Sequence, residues 1–336
     1  MAASIGREKA NTAPRAAVVF NPTKSGIAEL RAAMRAAERK LGWAASEWFE
    51  TTVDDPGKGM ARQAVTDGFD LVLAAGGDGT VRSVAAALRG SGVPLGIVPA
   101  GTGNLFARNL GIPVNDADSA AAVALGGIDR AVDLSTVELT RPDGSIEDHV
   151  SLVMSGVGID AAMISNTNPE LKKRVGWLAY VDAGLRSLPT SKPFRIHYRM
   201  DDHGTHGAHV SSILVANLGY LPGNIELIPD AEVDDGKLDV VVLQPKGVWG
   251  WLTIWRRVTW ENRVLRKSAI GQQWIDLTGG DKRSAITYLR GTSVSIRIEG
   301  DPEEFELDGD EFGVVTAVEF TTDAASLLVR VPPQDG

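Results

Sequence analysis

The sequence predicts an α/β protein in two parts, an N-terminal parallel α/β nucleotide-binding domain and a C-terminal antiparallel β-sandwich domain. Three observations carry this expectation. Apolar strand-like runs alternate with amphipathic helical stretches up to about residue 130. Shorter runs rich in Val, Ile and Leu, separated by turn signals, then take over. The chain has 336 residues, more than one hydrophobic core usually serves.

In chain order, "AAVVFNP" from Ala16 reads as a buried strand, and Leu30, Met34, Ala37 and Leu41 fall at helical spacing within a crossing helix over 27–41. "ASEWFETT" reads as the next strand, 58–67 as a second helix, "DLVLAAGG" as a third strand, 80–88 as a helix and "PLGIVPAG" as a fourth strand. Such alternation gives a parallel sheet, whose ligands bind beyond the carboxyl ends of the strands. "NPTKSG", "ETT", "GGDGT" and "PAGTGN" all fall there. After Ala131 the runs "VDLSTVELT", "HVSLVMSGVGI", "FRIHYRM", "VSSILVANL", "KLDVVVLQP", "SVSIRIEG" and "FELDGDEF" suit antiparallel strands, with turns at Pro142-Asp143-Gly144 and Asp235-Gly236. Helical inserts are expected near 169–188 and 249–267. The expected divisions are 15–133, 134–315 and a terminal segment 316–331 that either closes the β domain or returns to the first one.

Composition narrows the function classes. A formal net charge of -9 argues against a nucleic-acid partner held by phosphate neutralisation across the whole surface. The absence of cysteine removes disulfides, thiolate metal sites and cysteine nucleophiles together. The first fifteen residues lack the apolar core of a signal peptide, and no run of eighteen apolar residues occurs. The expectation is a cytoplasmic protein with a short disordered leader; a homodimer is compatible with the sequence.

Glycines that lack a Cβ let consecutive N–H groups point into one concavity, and a following helix adds partial positive charge. "GGDGT" therefore suits phosphate, while Asp78 inside it suits a bridging Mg²⁺ or a hydroxyl to be oriented. The alternative is a tight strand-to-helix turn capped by Asp78. "NPTKSG" and "PAGTGN" at corresponding strand ends favour a three-loop nucleotide site. Neither a P-loop nor a G-x-G-x-x-G fingerprint is present.

In this order, "NPTKSG", "GGDGT" and "PAGTGNLFARNLGIP" resemble the diacylglycerol kinase catalytic-domain family, which includes bacterial lipid kinases and the sphingosine and ceramide kinases. The resemblance continues through "GVGIDA", "KKRVGWLAYV", "PDAEVDDGKLDV" and "ELDGDEF". It implies an ATP- and Mg²⁺-dependent kinase, with ATP in the cleft between the two domains, that phosphorylates a hydroxyl of a diacylglycerol-like or sphingoid-like lipid at a membrane surface. Carried over by position, the nucleotide would meet Asn21, Pro22, Thr23, Lys24, Ser25, Thr52, the 76–82 stretch with Gly76, Gly77, Asp78, Gly79 and Thr80, then Thr102 and Arg174. Thr51 is an alternative to Thr52. Asp160 would orient the acceptor end of the substrate. A structural Mg²⁺ would sit at Asp235 with backbone groups near Glu232 and Lys237, the alternative being a plain Asp-Gly turn.

Two departures from the family pattern bear on the chemistry. The family's late Asp-Gly-Glu motif reads Asp308-Gly309-Asp310-Glu311, so the proposed base is a side chain about 1.5 Å shorter. Strand alternation would set Asp308 and Asp310 on one face and Glu311 on the other, which favours Asp310 as base over Glu311. Leu105 stands where relatives often carry a magnesium-holding aspartate, leaving Asp78, Asp308 and Asp310 as the expected anchors. The stretch 247–267 holds four of the eight tryptophans among arginines, as a membrane-interface helix or as core. NAD kinase and a non-catalytic lipid- or nucleotide-binding relative are the competing readings.

Overall fold

The computed structural model describes residues 13–101, 103–158, 193–221, 225–226, 228, 231–245 and 286–333. The first half runs β1 (Ala16–Phe20), α1 (Ile27–Leu41), β2 (Glu47–Glu50), α2 (Lys58–Thr66), β3 (Leu71–Gly76), α3 (Asp78–Leu88), β4 (Leu95–Pro99), α4 (Leu105–Asn109) and α5 (Ala117–Gly126). Strands β2, β1, β3 and β4 pair in parallel in that order. Alternate strand residues feed two cores. Ala16, Val18, Phe20, Leu71 and Leu73 pack with Leu30 and Met34 of α1 and Ala120 and Ala124 of α5. Ala17, Val19, Val72 and Ala74 pack with Ala61 of α2 and Val84 and Ala85 of α3. Both faces of the sheet are therefore covered, which is why its strands read as continuous apolar runs rather than alternating ones.

Helix α3 begins two residues earlier than the spacing predicts. Gly77 is extended and forms the N-cap, and Asp78 enters the first turn, where a carboxylate faces the positive end of the helix. Helix α5 was not apparent in the alanine-rich "ADSAAAVALG"; it is started by Asp116, whose side chain accepts from the Asp118 and Ser119 N–H groups.

The second half adds β5 (Ile128–Thr140), β6 (Ile146–Ser151), β7 (Met154–Val157), β8 (Phe194–Met200), β9 (His206–Val210), β10 (Ser212–Ala216), the short β11 (Tyr220–Leu221) and β12 (Ile225–Glu226), β13 (Leu238–Leu243), β14 (Ile286–Gly291), β15 (Ser293–Glu299), β16 (Glu303–Leu307), β17 (Asp310–Val315) and β18 (Ala317–Val331). Two runs that read as single strands turn corners between sheets. "HVSLVMSGVGI" splits into β6, paired with β5, and β7, paired with β10 and β16. "VSSILVANL" splits at Ser211, so that β9 joins the large sheet and β10 the smaller one. The smaller sheet has the order β14-β13-β10-β7-β16-β17. Its Val157, Ile213, Val240, Phe305 and Leu307 meet Val137, Ile196, Ile296, Val318 and Phe320 of the large sheet in one apolar layer, which makes this half a β-sandwich.

The halves are not separated at residue 133. That position lies inside β5, which pairs antiparallel with β18 from end to end. The first part of β18 also pairs β15, while Val329 near its end pairs Leu95 of β4 in parallel. The terminal strand thus both closes the sandwich and returns to the parallel sheet. A register shift between Asp323 and Leu327, with Ala325 at φ 51°, lets one strand serve both.

Phe320 is fully buried between the two sheets. Phe320→Ala is expected to lower stability by about 3–5 kcal/mol, seen as a lower urea midpoint at unchanged slope.

Candidate phosphoryl-transfer site

The loops that follow the parallel strands start side by side because sheet hydrogen bonding runs past the strand ends. Asn21 N–H donates to the Ala75 carbonyl at 3.1 Å, Ala100 N–H to the Gly76 carbonyl at 2.9 Å and Thr51 N–H to the Phe20 carbonyl at 2.9 Å. In the first loop, Oδ1 of Asn21 accepts from the Thr23 N–H at 3.0 Å and from its hydroxyl at 2.7 Å. Pro22, Thr23 and Ser25 are exposed there, with Asn21 and Lys24 partly so. Thr51 is buried, whereas Thr52 is exposed and its Oγ1 accepts from the Asp55 N–H at 3.0 Å.

The second and third loops touch backbone to backbone. A methyl group on Gly101 would lie 2.8 Å from Cα of Gly77 and 2.9 Å from Oδ1 of Asn104, so bare glycine is required for this approach. Asn104, buried and left-handed at φ 48°, closes the third loop: its Oδ1 accepts from the Gly101 N–H at 3.1 Å and its Nδ2 donates to the Gly101 carbonyl at 2.7 Å. Leu105 then donates its backbone N–H to Oδ1 of Asp78 at 2.7 Å. Asp78 therefore starts α3 and also receives the beginning of α4. Burial pushes its carboxyl above the ordinary carboxylate range; N–H groups at 104–106 oppose that shift, and the neighbouring Asp308 charge adds to it.

Across from α3 stands the β16–β17 hairpin. Asp308 and Gly309 are its two turn residues, at φ 51° and 88°, and Leu307 pairs with Asp310, the arrangement of a type I′ turn. This corrects the expectation from strand alternation, because neither turn residue lies on a strand and the two carboxylates part. The Asp308 side chain is 1% exposed and that of Asp310 53%. Oδ1 of Asp308 accepts from the Ser151 hydroxyl at 2.9 Å and from the Leu152, Val153 and Met154 N–H groups at 3.2, 2.9 and 3.2 Å; Oδ2 accepts from Leu152 at 3.0 Å. Oδ1 is filled by the β6–β7 corner, while Oδ2 accepts one hydrogen bond and faces Arg82 at 3.8 Å.

Arg82 links the two sides. Its Nη1 donates to the Leu307 carbonyl at 2.8 Å and lies 3.8 Å from Oδ2 of Asp308, while Nη2 donates to Oδ2 of Asp310 at 2.7 Å. A Cβ on Gly79 would sit 3.3 Å from the same Asp310 oxygen, so Asp310 lies against the first turn of α3. The other Asp310 oxygen makes no hydrogen bond among the described residues. The spacing of Asp78 and Arg82, one helical turn, puts both on one face; the partner of Arg82, 228 residues away, has no signal in the sequence.

Other expectations resolve differently. Thr80 is buried with its side chain against Gly76, so it packs the turn rather than facing the loops. At the predicted structural cation turn, Oδ1 of Asp235 accepts from the Lys237 N–H at 3.0 Å and Oδ2 pairs with Arg290 at 2.9 Å, while Glu232 and Lys237 are exposed. Among the described residues no group of three acidic or histidine side chains is placed to hold a metal ion; the expected site drew on one carboxylate with backbone groups, and that carboxylate also carries the Arg290 ion pair. The turn is held from beneath by Asp133, which the sequence reading passed over as a polar residue within a strand. This buried carboxylate accepts from the Gly236 N–H at 2.6 Å and the Ala325 N–H at 2.7 Å. Thr102, Asp160, Arg174 and the stretch 247–267 lie outside the described residues. Among the described residues, no helix is long and apolar enough to cross a membrane.

A parallel α/β half whose glycine loops face carboxylates from a β-sandwich defines a class of phosphotransferases. Residues 15–137 match the diacylglycerol kinase catalytic domain, and residues 151–266 match the YegS C-terminal NAD kinase beta sandwich-like domain. The chain is 34% identical over 228 residues to the "Probable lipid kinase YegS-like" of Pseudomonas aeruginosa (strain UCBPP-PA14), covering 67% of this chain and 71% of that one. It is 26% identical over 324 residues to the "Diacylglycerol kinase" of Bacillus subtilis (strain 168), covering 95% and 97%. A crystal structure of a diacylglycerol kinase from Bacillus anthracis str. Sterne superposes with a TM-score of 0.64 at 19% identity, covering 97% and 99% of the two chains. A second crystal structure from the same strain reaches 0.71, also at 19% identity, covering 98% and 99%. The chain belongs to the diacylglycerol kinase catalytic-domain family of lipid kinases.

Because the folded pKa of Asp78 is raised, its contribution to stability is fully present below the unfolded pKa, about 4, and is lost as pH rises through the folded value. Asp78→Asn keeps an oxygen to accept from Leu105 and cannot ionise. Its stability relative to the parent, measured by urea unfolding, is expected to increase between pH 4 and pH 7.

Proposed function

We propose that the protein transfers the γ-phosphoryl group of ATP to a hydroxyl of a diacylglycerol-like or sphingoid-like lipid, with Asp310 as general base. The observation that carries this reading is the half-exposed Asp310 carboxylate, held at 2.7 Å by Arg82 against the first turn of the helix that opens the "GGDGT" loop. The nucleotide phosphates would lie along the backbone N–H groups of the 21–26, 76–80 and 99–104 loops, where bare glycines allow close approach and the N-terminus of α3 favours negative charge. Phosphoryl transfer asks mainly for positioning and charge neutralisation. An alcohol also needs an acceptor for its proton. The open oxygen of Asp310 takes that proton while Arg82 fixes the other oxygen and so the direction of the first.

Asp78 fits a Mg²⁺ ion in part, since this ion is commonly bound by one or two carboxylates together with substrate phosphates; the two Asp310 oxygens are taken by Arg82 and by the proton. When bound there, the ion would neutralise charge on the phosphate oxygens. Asp308 is left out of that set, because four donors fill its Oδ1 and its Oδ2 faces the Leu152 N–H and Arg82. The lipid acceptor places the reaction at a membrane surface, with the protein as a peripheral visitor from the cytoplasm.

Labelled ATP with a total lipid extract tests the reading. A labelled product that partitions into chloroform is expected; labelled NADP from added NAD, or nucleotide binding without turnover, would overturn it. Asp310→Asn is expected to lower turnover at least about a hundredfold while nucleotide binding by calorimetry stays within about twofold. Full activity in that variant removes Asp310 as the base.

A further inference from the structure

The outward face of the sandwich's large sheet carries a charged depression apart from the nucleotide loops. It has a volume of about 380 Å³ and is lined by His197 and Arg199 of β8, Thr205 just before β9, and Ser295 and Arg297 of β15, with Tyr198 at its edge. Strand register explains the cluster. Arg199 stands opposite Ser295 and His197 opposite Arg297, so the two arginines are diagonal neighbours on one face, within reach of long side chains. Like charges so placed cost stability unless something offsets them.

Among the described residues, no carboxylate pairs with either arginine. Both residues are exposed, and neither forms an ion pair among the described residues. The adjacent carboxylate, Glu299, is engaged by Arg195 at 3.4 Å and His197 at 3.0 Å. Glu319, which faces Ser295 from β18, forms no ion pair with either arginine. In a chain with 43 acidic against 34 basic residues, two arginines without an ion-pair partner among the described residues, around a hollow that also offers the hydroxyls of Thr205 and Ser295, form a local exception to the bulk charge. Guanidinium groups bind tetrahedral oxyanions through paired N–H donors, and hydroxyls supply further donors of suitable reach.

We infer that this depression binds a phosphate-type oxyanion, either free or as the headgroup of an anionic lipid. The inference does not depend on the kinase reading, since none of these residues belongs to the loops or to the hairpin.

The test uses the full chain and two probes. Inorganic phosphate is titrated while the imidazole resonance of His197 is followed by NMR, which separates this depression from phosphate in the loops. A saturable shift is expected, with affinity at least about tenfold weaker in the double variant Arg199→Ser, Arg297→Ser. In the second arm, the chain is sedimented with phosphatidylglycerol or phosphatidylcholine vesicles. Retention on phosphatidylglycerol alone that is lost in the double variant assigns a lipid headgroup; arginine-dependent phosphate binding without it assigns a free anion. No saturable shift, or unchanged phosphate affinity in the double variant, overturns the inference. Should the double variant not fold, Arg297→Gln alone carries the same reading, and unchanged affinity there is equally decisive against it.

Discussion

The arrangement of the site depends on one guanidinium. Arg82 leaves the first turns of α3, which belongs to the parallel half, and ends on the Leu307 carbonyl and the Asp310 carboxylate of the β16–β17 hairpin, which belongs to the sandwich. Its side chain is 12% exposed, so the bond to the Leu307 carbonyl is part-buried, while the bond to Asp310 reaches a carboxylate open to solvent. Because one planar group serves both a backbone oxygen and a carboxylate, it sets the distance and the orientation of the hairpin relative to the helix. The shared strand β18 joins the halves as chains; Arg82 joins them at the chemistry.

Three aspartates near this link divide the work according to burial. Asp308 is enclosed, and it holds the corner at which the chain passes from β6 to β7. Asp78 is largely enclosed, accepts from Leu105, and ties the second loop to the third. Asp310 is open on one side and anchored on the other. A carboxylate whose acceptor sites are filled by N–H groups is a brace, and one with a free oxygen can take part in proton transfer. Two residues separated by one glycine have opposite roles because the type I′ turn sends one inward and the other out.

The glycine loops show the same economy at the level of the backbone. Gly101 allows the third loop to approach Gly77 closer than a side chain at 101 would permit. Asn104, held in the left-handed region, then fixes the third loop through paired bonds to Gly101. The result is a pair of loops whose backbone is fixed by contacts within the protein itself.

What the sequence determined by itself was the class of each half and the place of the loops. Strand-helix alternation up to residue 130 sufficed, because a parallel sheet covered on both faces leaves unbroken apolar runs such as "AAVVF" and "LVLAAG". Glycine spacing marked "GGDGT" and "PAGTGN" because only bare backbone packs so closely. The tertiary structure decided the rest. Apolar content looks the same before and after a corner, so "HVSLVMSGVGI" could not reveal that it changes sheets at Ser151. Two aspartates in "LDGDEF" look equivalent until the turn type is known. The bond from Arg82 to Asp310 spans 228 positions and follows no local period; it exists because β18 brings the end of the chain back beside β4 and sets the sandwich hairpin over the helix that "GGDGT" begins.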